Sequence, residues 1–301
     1  MLLLLEGPPA CGLVFRILRG SPLAAARRAV VDPEAPGRVA WRARPPADGP
    51  KRTADGPPPA SREAFRPGRS VGTLTGVETF VSLGNGLVQD RLADLVGEPH
   101  LIRGIVEWGA TNKGPGHLAQ TTEGPFVVGP RDARTERLAE VLAPAGAVRI
   151  EAEIRSVIWA KLLVNSVFSG LGAVAGETYA EVVARPEGKD AALRMWREGY
   201  EVGTAQGLRP GKVLGVEASA LAAGDEQALA TAMRRHGATY ASMLQDLKRG
   251  APTEVDVIVG AVAAKGREHG IPTPLHDRVT ALIHAAERGE RTPSPEGLTG
   301  L

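Results

Sequence analysis

The chain has 301 residues, 36 Lys and Arg against 34 Asp and Glu for a net charge of +2, and one cysteine, Cys11. A single cysteine excludes an intrachain disulfide and any metal site built from several thiolates, and so even a charge balance, without a basic stripe or an RNA-binding aromatic signature, argues against nucleic acid as a partner. The length allows two domains, and on first reading no apolar stretch approaches the roughly 18 residues that span a bilayer.

Residues 1–70 are rich in Pro, Arg, Ala and Gly, as in R-A-R-P-P-A-D-G-P-K-R-T-A-D-G-P-P-P-A at 42–60. Such a composition buries too little apolar surface to offset chain entropy, so this segment is expected to be largely disordered. A frameshift or a misassigned start in a GC-rich gene would yield this residue mix, and a genuine extension is the alternative. The opening M-L-L-L-L has no positive charge before it and meets Gly7-Pro8-Pro9 at once, so secretion is not expected. With the lone cysteine, this points to the cytoplasm.

From Val77 the pattern becomes regular. A strand is predicted over 77–83, a helix over Val88–Val96, a strand over His100–Trp108 and short strands over 117–121 and 125–129. A helix over Arg131–Leu142 and a strand over Val148–Glu151 follow. These alternating elements read as the latter half of a doubly wound, Rossmann-like α/β domain without its first half. From Glu153 to Arg288 the signals are almost wholly helical, broken by Gly and Pro at 170–176, 186–188, 207–211 and 249–252. The expected organisation is therefore 1–70 low-complexity, 71–150 partial Rossmann-like, 151–290 all-α, and a tail at 291–301.

Gly84-Asn85-Gly86-Leu87-Val88-Gln89 imitates a dinucleotide fingerprint, with Glu107 placed as a ribose acid, but Gln89 stands where the third glycine should be. Two other runs carry more chemistry. In W-A-K-L-L-V-N at 159–165, Lys161 and Asn165 share a helical face amid Ile154, Val157, Ile158 and Leu162. An ammonium on an apolar helix is costly unless paired or used. In S-M-L-Q-D-L-K-R-G-A-P-T-E-V-D at 242–256, a helix carrying Ser242 breaks at Gly250 and Pro252. A new helix starts with Thr253 as expected N-cap and Asp256 three residues on, close to a capping box, with Glu254 in the first turn. A lysine, an amide, a hydroxyl and a carboxylate suit a small polar keto acid. Taken singly, each has a plainer reading as a snorkelling lysine, a cap or an ordinary surface group.

These runs, with V-S-L-G-N-G-L at 81–87, G-P-G-H at 114–117 and G-I-P-T-P at 270–274, resemble the ketopantoate reductases (2-dehydropantoate 2-reductases) in order and spacing from about Val77 to Arg288. The resemblance implies NADPH-dependent reduction of 2-dehydropantoate to pantoate, on the route to pantothenate and coenzyme A. It implies Lys161 as general acid, with Glu254 holding that lysine or a substrate hydroxyl. Asn165, Ser169 and Ser242 would bind the substrate, and Asn85 would face the nicotinamide. The glycine-rich phosphate loop that a family member carries near its N-terminus is missing from residues 1–70. Gly84 stands where Gln or His is usual in the family, Ser169 where a second Asn is common, and Val259 where an Asn often precedes Gly260.

The tryptophans Trp159 and Trp196 read as packing residues, and Asp246 and Asp256 as ion-pair or capping residues. The histidines show no ligand spacing, so no metal is expected. Three readings remain open. The chain is a reductase, of 2-dehydropantoate or another small 2-keto acid, with a homodimer as the expected assembly. Alternatively it is a remnant pseudoenzyme acting as a binding or dimerisation module. The third reading is a different dehydrogenase whose sheet a partner chain completes.

Overall fold

The computed structural model describes residues 79–114 and 117–301, together with four short strands, β1 (Leu2–Leu5), β2 (Val14–Ile17), β3 (Val30–Val31) and β4 (Val39–Ala40). The expected disorder of residues 1–70 falls mostly outside the described residues. The α/β part then runs β5 (Phe80–Ser82), α1 (Val88–Val96), β6 (Leu101–Val106), β7 (Gly109–Gly114), β8 (His117–Thr122), β9 (Phe126–Gly129), α2 (Ala133–Leu142) and β10 (Val148–Ile150). Its main sheet has the order β1-β2-β5-β6-β9-β10. β5 and β6 are parallel, with α1 as their crossover, and β9 and β10 are parallel across α2. The two units meet through the antiparallel pair β6–β9. On the other edge β2 pairs antiparallel with β5, so that edge is occupied by a strand of the same chain. This is part of a Rossmann-like sheet with an antiparallel hairpin, β1–β2, at its edge.

Alternation along the strands assigns the two faces. Val81, Ile102, Phe126 and Val128 pack with Leu138 and Leu142 of α2 on one side. Ile105 and Val127 point to the other side and meet Ile154 and Ile158 of the first helix that follows. Asp132 caps α2, its carboxylate accepting from the Thr135 amide at 2.8 Å. The strand expected at 117–121 is present, but its partner β7 was missed, because A-T-N-K-G carries no apolar alternation to read.

The helical part comprises α3 (Ile154–Val164), a π turn (Asn165–Ser169), α4 (Gly170–Ala175), α5 (Tyr179–Ala184), α6 (Pro186–Ala205), the hairpin β11 (Lys212–Val213) and β12 (Val216–Glu217), α7 (Ala218–Ala222), α8 (Glu226–His236), α9 (Ser242–Lys248), α10 (Val255–His269) and α11 (Pro274–Glu287). The small hairpin, which was not expected, interrupts what the sequence presents as almost wholly helical, just after the break at 207–211. Ile154–Ala175 form one continuous helix of 22 residues that is long and apolar enough to cross a membrane, which corrects the expectation that no stretch reaches that length. Its apolar character has a different cause here, since 78% of its apolar 18-residue window is buried inside the protein, against the rest of the bundle core. Trp159 on this helix and Trp196 on α6 are buried packing residues. Their indole N–H groups donate to the carbonyls of Gly199 at 3.0 Å and Ala218 at 2.9 Å. A Cβ on Gly203 would lie 2.3 Å from the Trp159 ring nitrogen, so only a glycine lets α6 approach α3 this closely.

Candidate active site

The site forms where the β5–α1 turn meets the first turn of α10. Gly86 has φ +67, and a Cβ there would lie 2.2 Å from the Val257 carbonyl oxygen. Without a side chain the turn sits directly on α10, and the Leu87 amide donates to that carbonyl at 2.9 Å. This docking carries Asn85 to Glu254, whose Oε2 accepts from the Asn85 amide at 3.4 Å. The false fingerprint is explained by the same turn. The Leu87 amide at the entry to α1 is spent on Val257, and Gln89, 1% exposed, spends its own side-chain amide on the carbonyls of Gly104 at 2.8 Å and Gly84 at 3.4 Å. Gln89 thus ties α1 to β6, a task incompatible with the close approach a third glycine would permit.

Lys161 reaches the same region from α3. Its Nζ donates to the carbonyl of Val106, the last residue of β6, at 2.6 Å. Desolvation lowers the ammonium to about 8, opposed by the negative charges of Glu107 and Glu254. Glu254 is itself raised by burial, against the hydrogen bond from Asn85; the charge of Asp246 raises it further and that of Lys161 lowers it. Lys161 and Glu254 interact through charge, with no hydrogen bond between them. An ammonium offers three donors, and one of them is fixed on Val106.

Asn165 lies one turn beyond Lys161, half-buried, and its amide makes no hydrogen bond to a described residue. Ser169, four residues beyond Asn165, does not fall where regular α-helical spacing would put it. The π turn over Asn165–Ser169, whose hydrogen bonds span five residues, rotates it relative to α-helical spacing. Its hydroxyl lies 2.6 Å from the Tyr179 hydroxyl in the core. Ser242 is the exposed first residue of α9 and has no side-chain hydrogen bond to a described residue. The structure therefore brings Asn85 and Glu254 into contact and sets Lys161 in their field. Ser169 is engaged elsewhere.

The start of α10 also differs from the expected capping box. The helix begins at Val255, whose amide donates to the Thr253 hydroxyl at 3.2 Å. Asp256 does not reach back, because His284 of α11 holds its carboxylate at 2.9 Å. Sequence reasoning missed the Val106 carbonyl entirely, since backbone atoms leave no compositional trace. It considered Glu107 only as a ribose acid. In the structure Glu107 accepts from Arg149 at 3.1 Å and contributes charge to Lys161. Among the described residues no group of His, Cys, Asp and Glu is placed to hold a metal.

Two family descriptions match the chain, "Ketopantoate reductase PanE/ApbA" over residues 72–133 and "Ketopantoate reductase PanE/ApbA C terminal" over 153–287. The chain belongs to the ketopantoate reductase family. A relative from Mesorhizobium japonicum, named 2-dehydropantoate 2-reductase, is 35% identical over 201 residues, covering 64% of this chain and 58% of that one. A second of the same name from Archaeoglobus fulgidus is 34% identical, covering 63% and 62%. The chain thus spans about three-fifths of the length of these curated family members. Among solved structures, a 2-dehydropantoate 2-reductase from Geobacter metallireducens aligns with TM-score 0.59 and 26% identity, covering 68% of this chain and 67% of that one. The matched family segments contain Asn85, Lys161, Asn165, Ser169, Ser242 and Glu254.

Proposed function

We propose that this site reduces the ketone of a small 2-keto acid, 2-dehydropantoate by family membership, to the 2-hydroxy acid with NADPH as reductant. The observation that carries the reading is Lys161: an ammonium set into an apolar helix, anchored on the Val106 carbonyl, brought down to about 8 and within the charge field of Glu254, which Asn85 holds. A group that titrates near neutral pH is suited to proton transfer. As the carbonyl carbon accepts a hydride, the negative charge that develops on its oxygen is met by the Lys161 ammonium, which then gives up a proton to form the hydroxyl. Glu254 holds the ammonium in register and is oriented by Asn85. Among the described residues the Asn165 amide has no partner and can serve the substrate, and Ser242 has an exposed hydroxyl that can serve its carboxylate. The reduced nicotinamide, when bound, supplies the hydride, and Asn85 is the described residue that would face it.

The fit to the cofactor is confined to this reacting end. The sequence holds no G-x-G-x-x-G run, and the Leu87 amide, at the entry to α1, is spent on the Val257 carbonyl. That observation favours a second reading, in which the chain binds the keto acid without turnover. Cytoplasmic placement and assembly as a homodimer belong to the first reading.

The test is a titration of the purified chain with NADPH, followed by nicotinamide fluorescence, then addition of 2-dehydropantoate while nicotinamide absorbance is recorded. Binding with turnover is expected, with the rate falling as pH rises through about 8, where Lys161 loses its proton. Lys161→Ala should lower kcat by about 10²–10⁴-fold, the usual contribution of a general acid. A folded chain that binds the keto acid but neither binds nor oxidises NADPH would sink the first reading in favour of the second.

A further inference from the structure

We propose that Glu287, the last residue of α11, is a positioning residue that sets Glu254 against Lys161. The inference rests on the functional reading above and adds a residue outside the cluster already described.

Glu287 grips the chain immediately before Glu254. Its Oε1 accepts from both the Thr253 amide and the Thr253 hydroxyl, each at 2.7 Å. That hydroxyl in turn accepts from the Val255 amide at 3.2 Å. The backbone on both flanks of Glu254 is therefore bonded, directly or through one hydroxyl, to a single carboxylate oxygen. The second oxygen is also held, with His284 Nδ1 at 2.8 Å from Glu287 Oε2. The other ring nitrogen of His284 lies 2.9 Å from Asp256 Oδ1, which closes the circuit back onto α10. Thr253, Val255 and Asp256 are all tied into this network. The side chain left out is Glu254, which is turned toward Asn85.

The arrangement is more than a helix cap. A loop with Gly250 and Pro252 just upstream has little intrinsic reason to hold one orientation. The job of Glu254 depends on where its carboxylate lies, and misplacing a reacting group by about 1 Å can cost about 10²-fold in rate. Glu287 supplies the fixed point from a helix that packs along α10.

The proposal is tested without cofactor or turnover, by NMR titration of Lys161 in the full chain carrying isotopically labelled lysine. The parent should titrate at about 8. Glu254→Gln removes a charge that raises Lys161, so its midpoint should fall below the parent's. Glu287→Ala should shift Lys161 in the same direction, and the double variant should shift it no further than Glu254→Gln alone. Glu287→Gln keeps an Oε1 acceptor for Thr253 and should restore the parental midpoint. Exchange of the Thr253 amide should quicken on the order of tenfold in Glu287→Ala and stay slow in Glu287→Gln. If Glu287→Ala fails to fold, Thr253→Val, which removes the bridging hydroxyl, should move Lys161 downward instead. A parental midpoint in Glu287→Ala, or shifts that add in the double variant, would overturn the positioning role. An unmoved Lys161 in Glu254→Gln would overturn the Lys161–Glu254 coupling itself, and the functional reading with it.

Discussion

Ser169 and Tyr179 form a buried hydroxyl pair at 2.6 Å, with Ser169 only 2% exposed. Burial raises the Tyr179 hydroxyl, and the bond to Ser169 partly offsets that rise. Removing either partner strands the other away from water, which costs about 1–3 kcal/mol, whereas removing both leaves nothing unpaired. Ser169→Ala and Tyr179→Phe should therefore each destabilise by about that amount, and the double variant should cost clearly less than their sum in a denaturant cycle. A substrate-binding Ser169 would behave differently, with a raised KM and no coupling to Tyr179. The same helix carries Lys161 toward the sheet, where it meets the Val106 carbonyl, so one turn of π geometry sends Ser169 into the core instead of after Lys161.

At the scale of elements, α10 and α11 are joined by His284, which stands between Asp256 and Glu287. Burial opposes its charge, but the hydrogen bonds to Glu287 and Asp256 outweigh that and raise it above 6.5. Burial likewise opposes the charge on Glu287, and the bonds from Thr253 and His284 prevail and lower it below 4.5. A raised histidine contributes stability that is complete below 6.5 and is lost as pH rises through its folded value. A depressed carboxylate contributes stability that is present above 4.5 and is lost as pH falls through its folded value. The helix pair should thus be tightest between pH 4.5 and 6.5 and loosen on the alkaline side. Protection of the Thr253 amide against exchange, followed from that range up past the folded value of His284, should show the alkaline loss in the parent and a flat response in His284→Gln. The boundaries of α1 were legible in the sequence because amphipathic periodicity and Gly97 mark them locally. The true start of α10 was not, because a histidine 28 residues away claims the Asp256 carboxylate.

In the whole molecule two cores meet at a narrow seam. The bundle core surrounds Phe168, Trp196 and Met195, the sheet core lies under α2, and Ile105, Val127, Ile154 and Ile158 connect them. Ile154 also fills the space beside Gly129, where a Cβ would lie 2.7 Å from its own. Ile154→Ala should cost about 2–5 kcal/mol, the usual range for a large-to-small core change. Calorimetry should then resolve separate unfolding of sheet and bundle where the parent unfolds as one. A single transition at the parental Tm would show that Ile154 is not what couples the two parts. The proposed site sits beside this seam, with Lys161 on the bundle helix and its anchor, Val106, on the sheet.

The sequence by itself determined what local periodicity and motif order can carry: the alternation of strands and helices from Phe80, the apolar helix with Lys161 embedded in it, and membership of a reductase family. Hydrophobic spacing and turn residues act over a few positions, so they survive in a linear reading. Only the tertiary structure decided which groups meet. Asn85 and Glu254 are 169 residues apart, Lys161 and Val106 are 55 apart, and Thr253 and Glu287 are 34 apart. Such pairs exist because a glycine lets a turn seat on a distant helix, because a backbone carbonyl happens to face a lysine, and because one carboxylate at a helix end can hold two donors at once. None of these is a property of the residues in order; each comes from the packing that brings them together.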